Sequence, residues 1–143
     1  MKVQRELDFG KGFYTTSDLD QAIRWARRTV LRLKIGNACV TVYEIDDEKL
    51  LSLRILRFMQ PDAEWLHFVV ANRKGAMQTA DWDLICGSVA NDQTMPVIDL
   101  YLDGMYDEEE TVRRLLPQKL KDQYAFKTEA AIRLLRCKEV ICP

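Results

Sequence analysis

Residues 8–26 constrain the fold of this chain more than any other segment does. They read Asp-Phe-Gly-Lys-Gly-Phe-Tyr-Thr-Thr-Ser-Asp-Leu-Asp-Gln-Ala-Ile-Arg-Trp-Ala. Gly10 and Gly12 lack a Cβ, so the backbone there can turn tightly and come close to a ligand. Tight hairpin turns use the same glycine pair. The aromatic pair Phe13 and Tyr14 follows, and then a helix begins.

A Ser-x-x-Asp pattern from Ser17 to Asp20 predicts the start of that helix. Its apolar residues recur at helical spacing and predict one buried stripe, made of Leu19, Ala22, Ile23, Ala26, Val30 and Leu33. Gly36-Asn37 ends the helix. The later turns carry positive charge at Arg27, Arg28, Arg32 and Lys34, which the helix dipole favours. We prefer this structural explanation of the four cations to a phosphate-binding role.

The remaining pattern predicts short strands and helices in irregular alternation. Strands are expected over 39–45, 53–58, 82–89 (broken by Gly87), 124–127 and 140–141. Helices are expected over 61–73, 96–102, from the acidic residues 107–110 to Pro117, and over 129–136, the last of them capped by Thr128. This order favours an α+β fold over a doubly wound sheet. Without linkers or repeats, residues 1–143 are predicted to form a single domain.

The composition is that of an ordinary folded protein with a formal net charge of −1. Such a chain has no global field to attract nucleic acid or an anionic membrane. It has no apolar run of transmembrane length and no secretory signal at its polar start, so a cytoplasmic location is expected. Its cysteines lack a Cys-x-x-Cys spacing, and four reduced, mostly buried thiols are expected rather than a metal site or disulfides.

The longer string around the glycines resembles the Gly-x-Gly-aromatic-Tyr segment of ADP-ribosyltransferases of the poly(ADP-ribose) polymerase type. Residues 122–128, Asp-Gln-Tyr-Ala-Phe-Lys-Thr, are similar to the last signature strand of that superfamily. Nearly end to end, the chain resembles an uncharacterised bacterial domain family grouped with the ADP-ribosyltransferases. Further hallmarks are Glu-Trp-Leu-x-Phe-Val (64–69) with Asn72-Arg73, and Val-Ala-Asn-Asp (89–92).

The resemblance implies a split β-sheet with flanking helices and a site for NAD. Tyr14 would stack on the nicotinamide ring, Gly10 and Gly12 would shape the loop, and Gln123 would orient the ribose. Gln21 falls near a position that contacts the nicotinamide amide. Asn91 and Asp92 would line the cleft.

Two departures from the superfamily pattern affect the expected function. Gln123 stands where relatives often have glutamate, and an amide cannot deprotonate an incoming hydroxyl. The strand with a Tyr-His-Gly-Ser type motif that precedes the glycines in relatives has no counterpart in residues 1–7. Either the true start lies upstream, or a group that contacts NAD is absent. Made alone, this version is expected to be poorly soluble or to self-associate.

The expected function is therefore an NAD-dependent mono-ADP-ribosyltransferase, toxin-like or regulatory, that acts on protein or nucleic acid. The alternative is a truncated or inactive relative that binds a partner, such as an antitoxin-like protein encoded nearby. No membrane partner and no metal are expected. The acceptor and the oligomeric state stay open.

Overall fold

The computed structural model describes residues 8–74, 81–91 and 93–143. Within that part of the chain, the strands are β1 (Phe13–Thr15), β2 (Val40–Glu44), β3 (Ile55–Arg57), β4 (Leu84–Ser88), β5 (Asp122–Phe126) and β6 (Arg136–Ile141). Four of them form one sheet in the order β1-β5-β4-β3, and the antiparallel pair β2-β6 forms a second sheet. In the larger sheet only β3 and β4 run parallel.

The helices lie between these strands and on their faces. They are α1 (Leu19–Leu33), α2 (Asp47–Leu50), α3 (Ala63–Arg73), α4 (Met95–Leu102), α5 (Glu108–Leu115) and α6 (Glu129–Ile132). Helices and strands are thus mixed irregularly, and the predicted α+β class is confirmed. Among the described residues, no helix has the length and apolar character needed to cross a bilayer.

Helix α1 differs in two ways from the pattern predicted by its sequence. Its N-cap is Asp18, whose side chain accepts a hydrogen bond from the Gln21 amide at 2.8 Å, so the predicted start at Ser17 is wrong. The predicted buried stripe is also wrong, because Leu19 and Leu33 are 48% and 44% exposed. The apolar side of α1 borders a cleft instead of packing into the core.

The two faces of the four-stranded sheet carry different chemistry. Directly opposed residues point to the same face, and successive residues alternate between faces. One transverse row is Tyr14, Ala125, Ile85 and Leu56, and the next is Thr15, Tyr124, Cys86 and Arg57. The first row belongs to the face that helix α3 covers, and the second belongs to the opposite face.

The larger core lies between the sheet and helices α3, α4 and α5. Trp65, Leu66 and Val69 of α3 are fully buried there with Ile98 of α4 and Leu115 of α5. Removal of such apolar side chains from water is the dominant favourable contribution to folding.

Gly87 lies inside β4 and is paired with Gln123, so the predicted break in that strand is wrong. A Cβ at residue 87 would stand 2.9 Å from Cβ of Phe58 and 3.2 Å from Cζ of Phe9. The absence of a side chain at Gly87 therefore lets Phe58 and Phe9 pack closely against the strand, and it does not interrupt the strand.

The C-terminal part of the chain also departs from the prediction. Helix α6 ends at Ile132, well before residue 136, although its predicted cap Thr128 does accept from the Ala131 amide at 3.2 Å. Strand β6 begins at Arg136 because this segment completes the ladder with β2. The predicted edge strand over 140–141 is accordingly longer than expected.

A disulfide joins Cys39 and Cys142 at the end of the β2-β6 pair. The expectation of four reduced, mostly buried thiols is therefore wrong. Of the other two cysteines, Cys86 is buried and Cys137 is exposed. The spacing along the chain could not show this pairing, because 103 residues separate the two sulfurs in sequence and only the β2-β6 register brings them together.

Candidate functional site

A cleft of about 640 Å³ lies between the two sheets, and helix α1 forms one of its walls. The four-stranded sheet contributes the side chains of β1 and β5, and the second sheet contributes β2. We call this space the inter-sheet cleft. Its aromatic lining residues are Phe13, Tyr14, Trp25, Tyr43, Tyr124 and Phe126, and its hydroxyl-bearing ones include Thr15, Thr16, Ser17, Thr29 and Thr41.

Helix α1 and strand β1 present regularly spaced side chains to this cleft. Ala22, Trp25, Ala26 and Thr29 recur at helical intervals and border it from one side. Phe13 borders it from the sheet and meets the Tyr43 ring edge-on, with centroids 5.8 Å apart. These two rings connect the walls formed by the two sheets.

The turn before β1 uses its glycines as the sequence suggested. Gly10 has a φ of 78°, which favours glycine over any side chain. A Cβ on Gly12 would lie 3.1 Å from the Phe126 carbonyl oxygen. Backbone conformation thus accounts for Gly10, and close packing against β5 accounts for Gly12.

Tyr14 lies directly after this turn and holds it closed. Its hydroxyl accepts a hydrogen bond from the Phe9 amide at 3.0 Å and donates one to the Gly10 carbonyl. Although Tyr14 is among the residues at the cleft border, it also packs against the larger core. Burial raises the pKa of the Tyr14 phenol well above its ordinary value, so the hydroxyl keeps its proton at neutral pH.

Gln123 is buried and takes part in a polar cluster on the same face as Tyr14. Its Nε2 donates to Oδ2 of Asp8 at 3.2 Å and to the Ser88 carbonyl at 3.4 Å. Oδ1 of Asp8 accepts from Nε of Arg73 at 2.8 Å, and its Oδ2 also accepts from the Ala90 amide at 3.0 Å. The structure thus brings the neighbourhoods of Tyr14 and Gln123 together, on the sheet face that α3 covers.

The other residues predicted for the NAD site make local contacts. Nε2 of Gln21 donates to Oγ1 of Thr16 at 2.9 Å and to the Asp122 carbonyl at 3.0 Å, and the side chain is buried. Oδ1 of Asn91 accepts from the Thr94 amide at 2.9 Å, which stabilises the turn before α4. Asn91 is not among the residues that line the inter-sheet cleft. Asp92 lies outside the described residues.

Asp122 is a site residue that the sequence analysis missed. Its Oδ1 accepts from the Ser17 amide at 2.9 Å and from Oγ1 of Thr16 at 3.1 Å, and its Oδ2 accepts from Oγ of Ser17. These bonds connect the start of β5 to the β1–α1 connection at the cleft border. No local sequence signal indicated this role, because the contact between Ser17 and Asp122 spans 105 residues.

Tyr124 joins the inter-sheet cleft to a second, smaller cavity of about 280 Å³. Arg57, Cys86, Ser88 and Asp122 are among its other lining residues. Burial raises the pKa of both the Tyr124 phenol and the Cys86 thiol, so both groups are neutral at physiological pH. In the described part of the chain, no three His, Cys, Asp or Glu side chains come together as a metal-binding group.

Comparisons with known proteins identify a family but no characterised relative. Neither a search of curated proteins nor one of solved structures finds a significant match. One family model, described as "Protein of unknown function (DUF3990)", matches residues 1–137. Since this match covers nearly the whole chain, the protein belongs to the DUF3990 family.

Proposed function

We propose that this domain binds NAD in the inter-sheet cleft and transfers a single ADP-ribose unit to an acceptor. The observation that carries the proposal is that aromatic and hydroxyl-bearing side chains line this cleft. Several of them belong to the Gly-x-Gly-Phe-Tyr segment or come directly after it in the sequence. The volume of about 640 Å³ is in the usual range for small-molecule sites.

Aromatic side chains give the cleft affinity for the positively charged nicotinamide ring. A planar cation on an aromatic face gains about 1–2 kcal/mol where water is excluded. Trp25 offers the largest such surface among the lining residues, and Phe13 and Tyr124 lie on the sheet side. We assign the nicotinamide to the part of the cleft between Trp25 and β1.

Hydroxyl groups beside these rings fit the sugar part of NAD. Thr15 and Thr16 border the cleft, and each hydroxyl can donate and accept a hydrogen bond. Ribose hydroxyls need such partners when they leave water. In this proposal Gly10, Gly12 and Tyr14 hold the loop that shapes the site, while Gln21 and Gln123 fix the neighbouring strand ends. Asn91 has no role in this proposal, since it does not line the inter-sheet cleft.

The reaction would break the bond between the nicotinamide nitrogen and the ribose C1 carbon, and nicotinamide would leave with the bonding electrons. The acceptor nucleophile would form the new bond to C1 and release its proton to water. Gln123 has no basic form at neutral pH, and the Asp122 carboxylate already accepts bonds from Ser17 and Thr16. The domain would therefore favour an acceptor that needs little deprotonation. Orientation of NAD and stabilisation of the cationic ribose would supply most of the rate.

Calorimetric titration with NAD, followed by chromatographic detection of nicotinamide, tests the proposal. Trp25→Leu should weaken NAD binding about tenfold, the equivalent of roughly 1.4 kcal/mol, and Trp25→Phe should restore part of it. Leu51→Ala is a matched control, because Leu51 is 86% exposed and does not line the cleft. No heat of binding at about 1 mM NAD would refute the proposal.

A second candidate function is partner binding without catalysis, for example to an antitoxin-like protein. Burial of Gln123 in bonds to Asp8 and Ser88 favours it, because this amide is already engaged within the chain. The same experiment separates the two candidates. NAD binding without any nicotinamide release would favour the inactive relative, and release that depends on Trp25 would favour the enzyme.

A further inference from the structure

The charge of this protein is distributed very unevenly. Residues 19–34, helix α1 with its C-cap, contain five cations and one acid, a formal charge of +4. Since the whole chain has a net charge of −1, the rest of it carries −5. The nearly neutral total therefore conceals a basic helix on an acidic domain.

The cations of α1 lie on its solvent side. Arg24, Arg27, Arg28, Arg32 and Lys34 are all exposed, and we call these five residues the basic face. Arg24, Arg28 and Arg32 follow one another at intervals of four residues, which at 1.5 Å per residue is a stripe about 12 Å long. The other side of the helix, with Ala22, Trp25 and Ala26, borders the inter-sheet cleft.

The helix dipole accounts for only part of this pattern. Its effect on stability falls off within the last turn, where Arg32 lies. Arg24 and Arg27 lie about 2.5 and 1.7 turns before that end, outside the last turn, and gain little from the dipole. Four arginines and a single lysine also differ from an ordinary solvated surface, because the guanidinium fork matches phosphate oxygens bidentately.

We propose that the basic face of α1 is a docking surface for the phosphate backbone of a nucleic acid. The acidic remainder of the chain would orient the encounter, since α1 carries a net positive charge and the rest carries a net negative one. A strand bound along the stripe would pass beside the mouth of the inter-sheet cleft. This surface goes beyond the proposed reaction with NAD, and its binding can be measured with no NAD present.

Fluorescence anisotropy with a labelled oligonucleotide tests this surface. Single-stranded DNA, RNA and duplex DNA of one length are the probes, each titrated with the full chain at several salt concentrations. Contact with about four phosphates predicts that affinity falls about 50- to 150-fold between roughly 50 and 200 mM salt. The variant R24E/R27E/R32E should lose this binding.

The matched control is K49E/R113E/R133E, which makes the same change in net charge at side chains that are 50%, 74% and 74% exposed elsewhere. It should keep most of the binding to the probe. Circular dichroism of both variants checks that the helices persist.

The proposal is supported if only the α1 variant loses salt-dependent binding. It is overturned if no probe binds at low salt, or if both variants lose binding equally. It is also overturned if polyglutamate, an acidic polymer without phosphates, displaces the oligonucleotide at equal charge concentration. None of these outcomes depends on whether the cleft binds NAD.

Discussion

Oδ2 of Asp8 accepts a hydrogen bond from Nε2 of Gln123 at 3.2 Å, across 115 residues of sequence. Both side chains are at least 95% buried. The other carboxylate oxygen of Asp8 is paired with the Arg73 guanidinium. One acid thus joins three segments that the sequence analysis had described separately, namely the glycine-rich segment, the end of α3 and the last signature strand.

Replacement of Asp8 by asparagine should destabilise the fold. The change leaves Arg73 without its counter-ion beside the core, and loss of one partner of a buried ion pair costs about 3 kcal/mol. Urea denaturation measures the free energy of unfolding. Asp99→Asn, at an exposed carboxylate, should change it by less than about 0.5 kcal/mol. A cost of under about 1 kcal/mol for Asp8→Asn would mean that the pair is dispensable.

Tyr14→Phe should lower the free energy of unfolding by about 1–2 kcal/mol, because the Phe9 amide and the Gly10 carbonyl lose their partner. Urea denaturation at neutral pH measures this loss.

The pH dependence of the free energy of unfolding should change as well in Tyr14→Phe. Since burial raises the pKa of Tyr14 above its ordinary value of 10.0, the folded chain keeps a proton that the unfolded chain releases. Stability of the wild type should then fall as pH rises beyond 10, and Tyr14→Phe should show a shallower decline. Parallel curves for the two proteins would contradict this assignment.

Lys127 should make the free energy of unfolding rise with pH, in a lower pH range than the decline attributed to Tyr14. Its Nζ donates to the Phe9 carbonyl at 2.7 Å, and burial lowers its pKa from 10.5 to about 8. Between these two values the unfolded chain binds a proton that the folded chain has released, so the free energy of unfolding should rise with pH. Denaturation curves from pH 8 to 10 should be flatter for Lys127→Met than for the wild type. Lys49→Met is the surface control, and an unchanged slope for Lys127→Met would exclude this lysine as the cause.

Reduction of the Cys39–Cys142 disulfide should lower the free energy of unfolding. The bond closes a loop with a sequence separation of 103, for which the loss of chain entropy predicts a contribution of about 3–5 kcal/mol. Cys142→Ser should have the same effect as a reductant, whereas Cys137→Ser, at the exposed thiol, should have little.

Thiol labelling gives an independent check of this pairing. Without reductant, Cys137 should react at once and Cys86 only on unfolding, because Cys86 is buried. Rapid labelling of Cys39 or Cys142 in the native, non-reduced protein would show that the disulfide is absent.

The sequence alone predicted the elements whose signals are local. The turn at Gly10 and Gly12, the strand over 40–44, helix α3 and the cap at Thr128 all follow from backbone freedom, β-branched residues or capping within a few positions. The α+β class followed from the irregular order of these elements. The same local reasoning gave a wrong cap for α1, because Asp18 and Ser17 compete and a carboxylate on β5 takes Ser17.

Tertiary structure decided everything that depends on which face of the sheet a side chain occupies. The pairing of β1 with β5 places Tyr14 opposite Ala125 on the core face and Thr15 opposite Tyr124 on the cleft face. A shift of one residue would exchange these roles, and no local signal fixes the register between strands more than 100 residues apart. The β2-β6 pairing likewise decided the disulfide. Sequence determined what each segment could form, and long-range register determined which side chains meet.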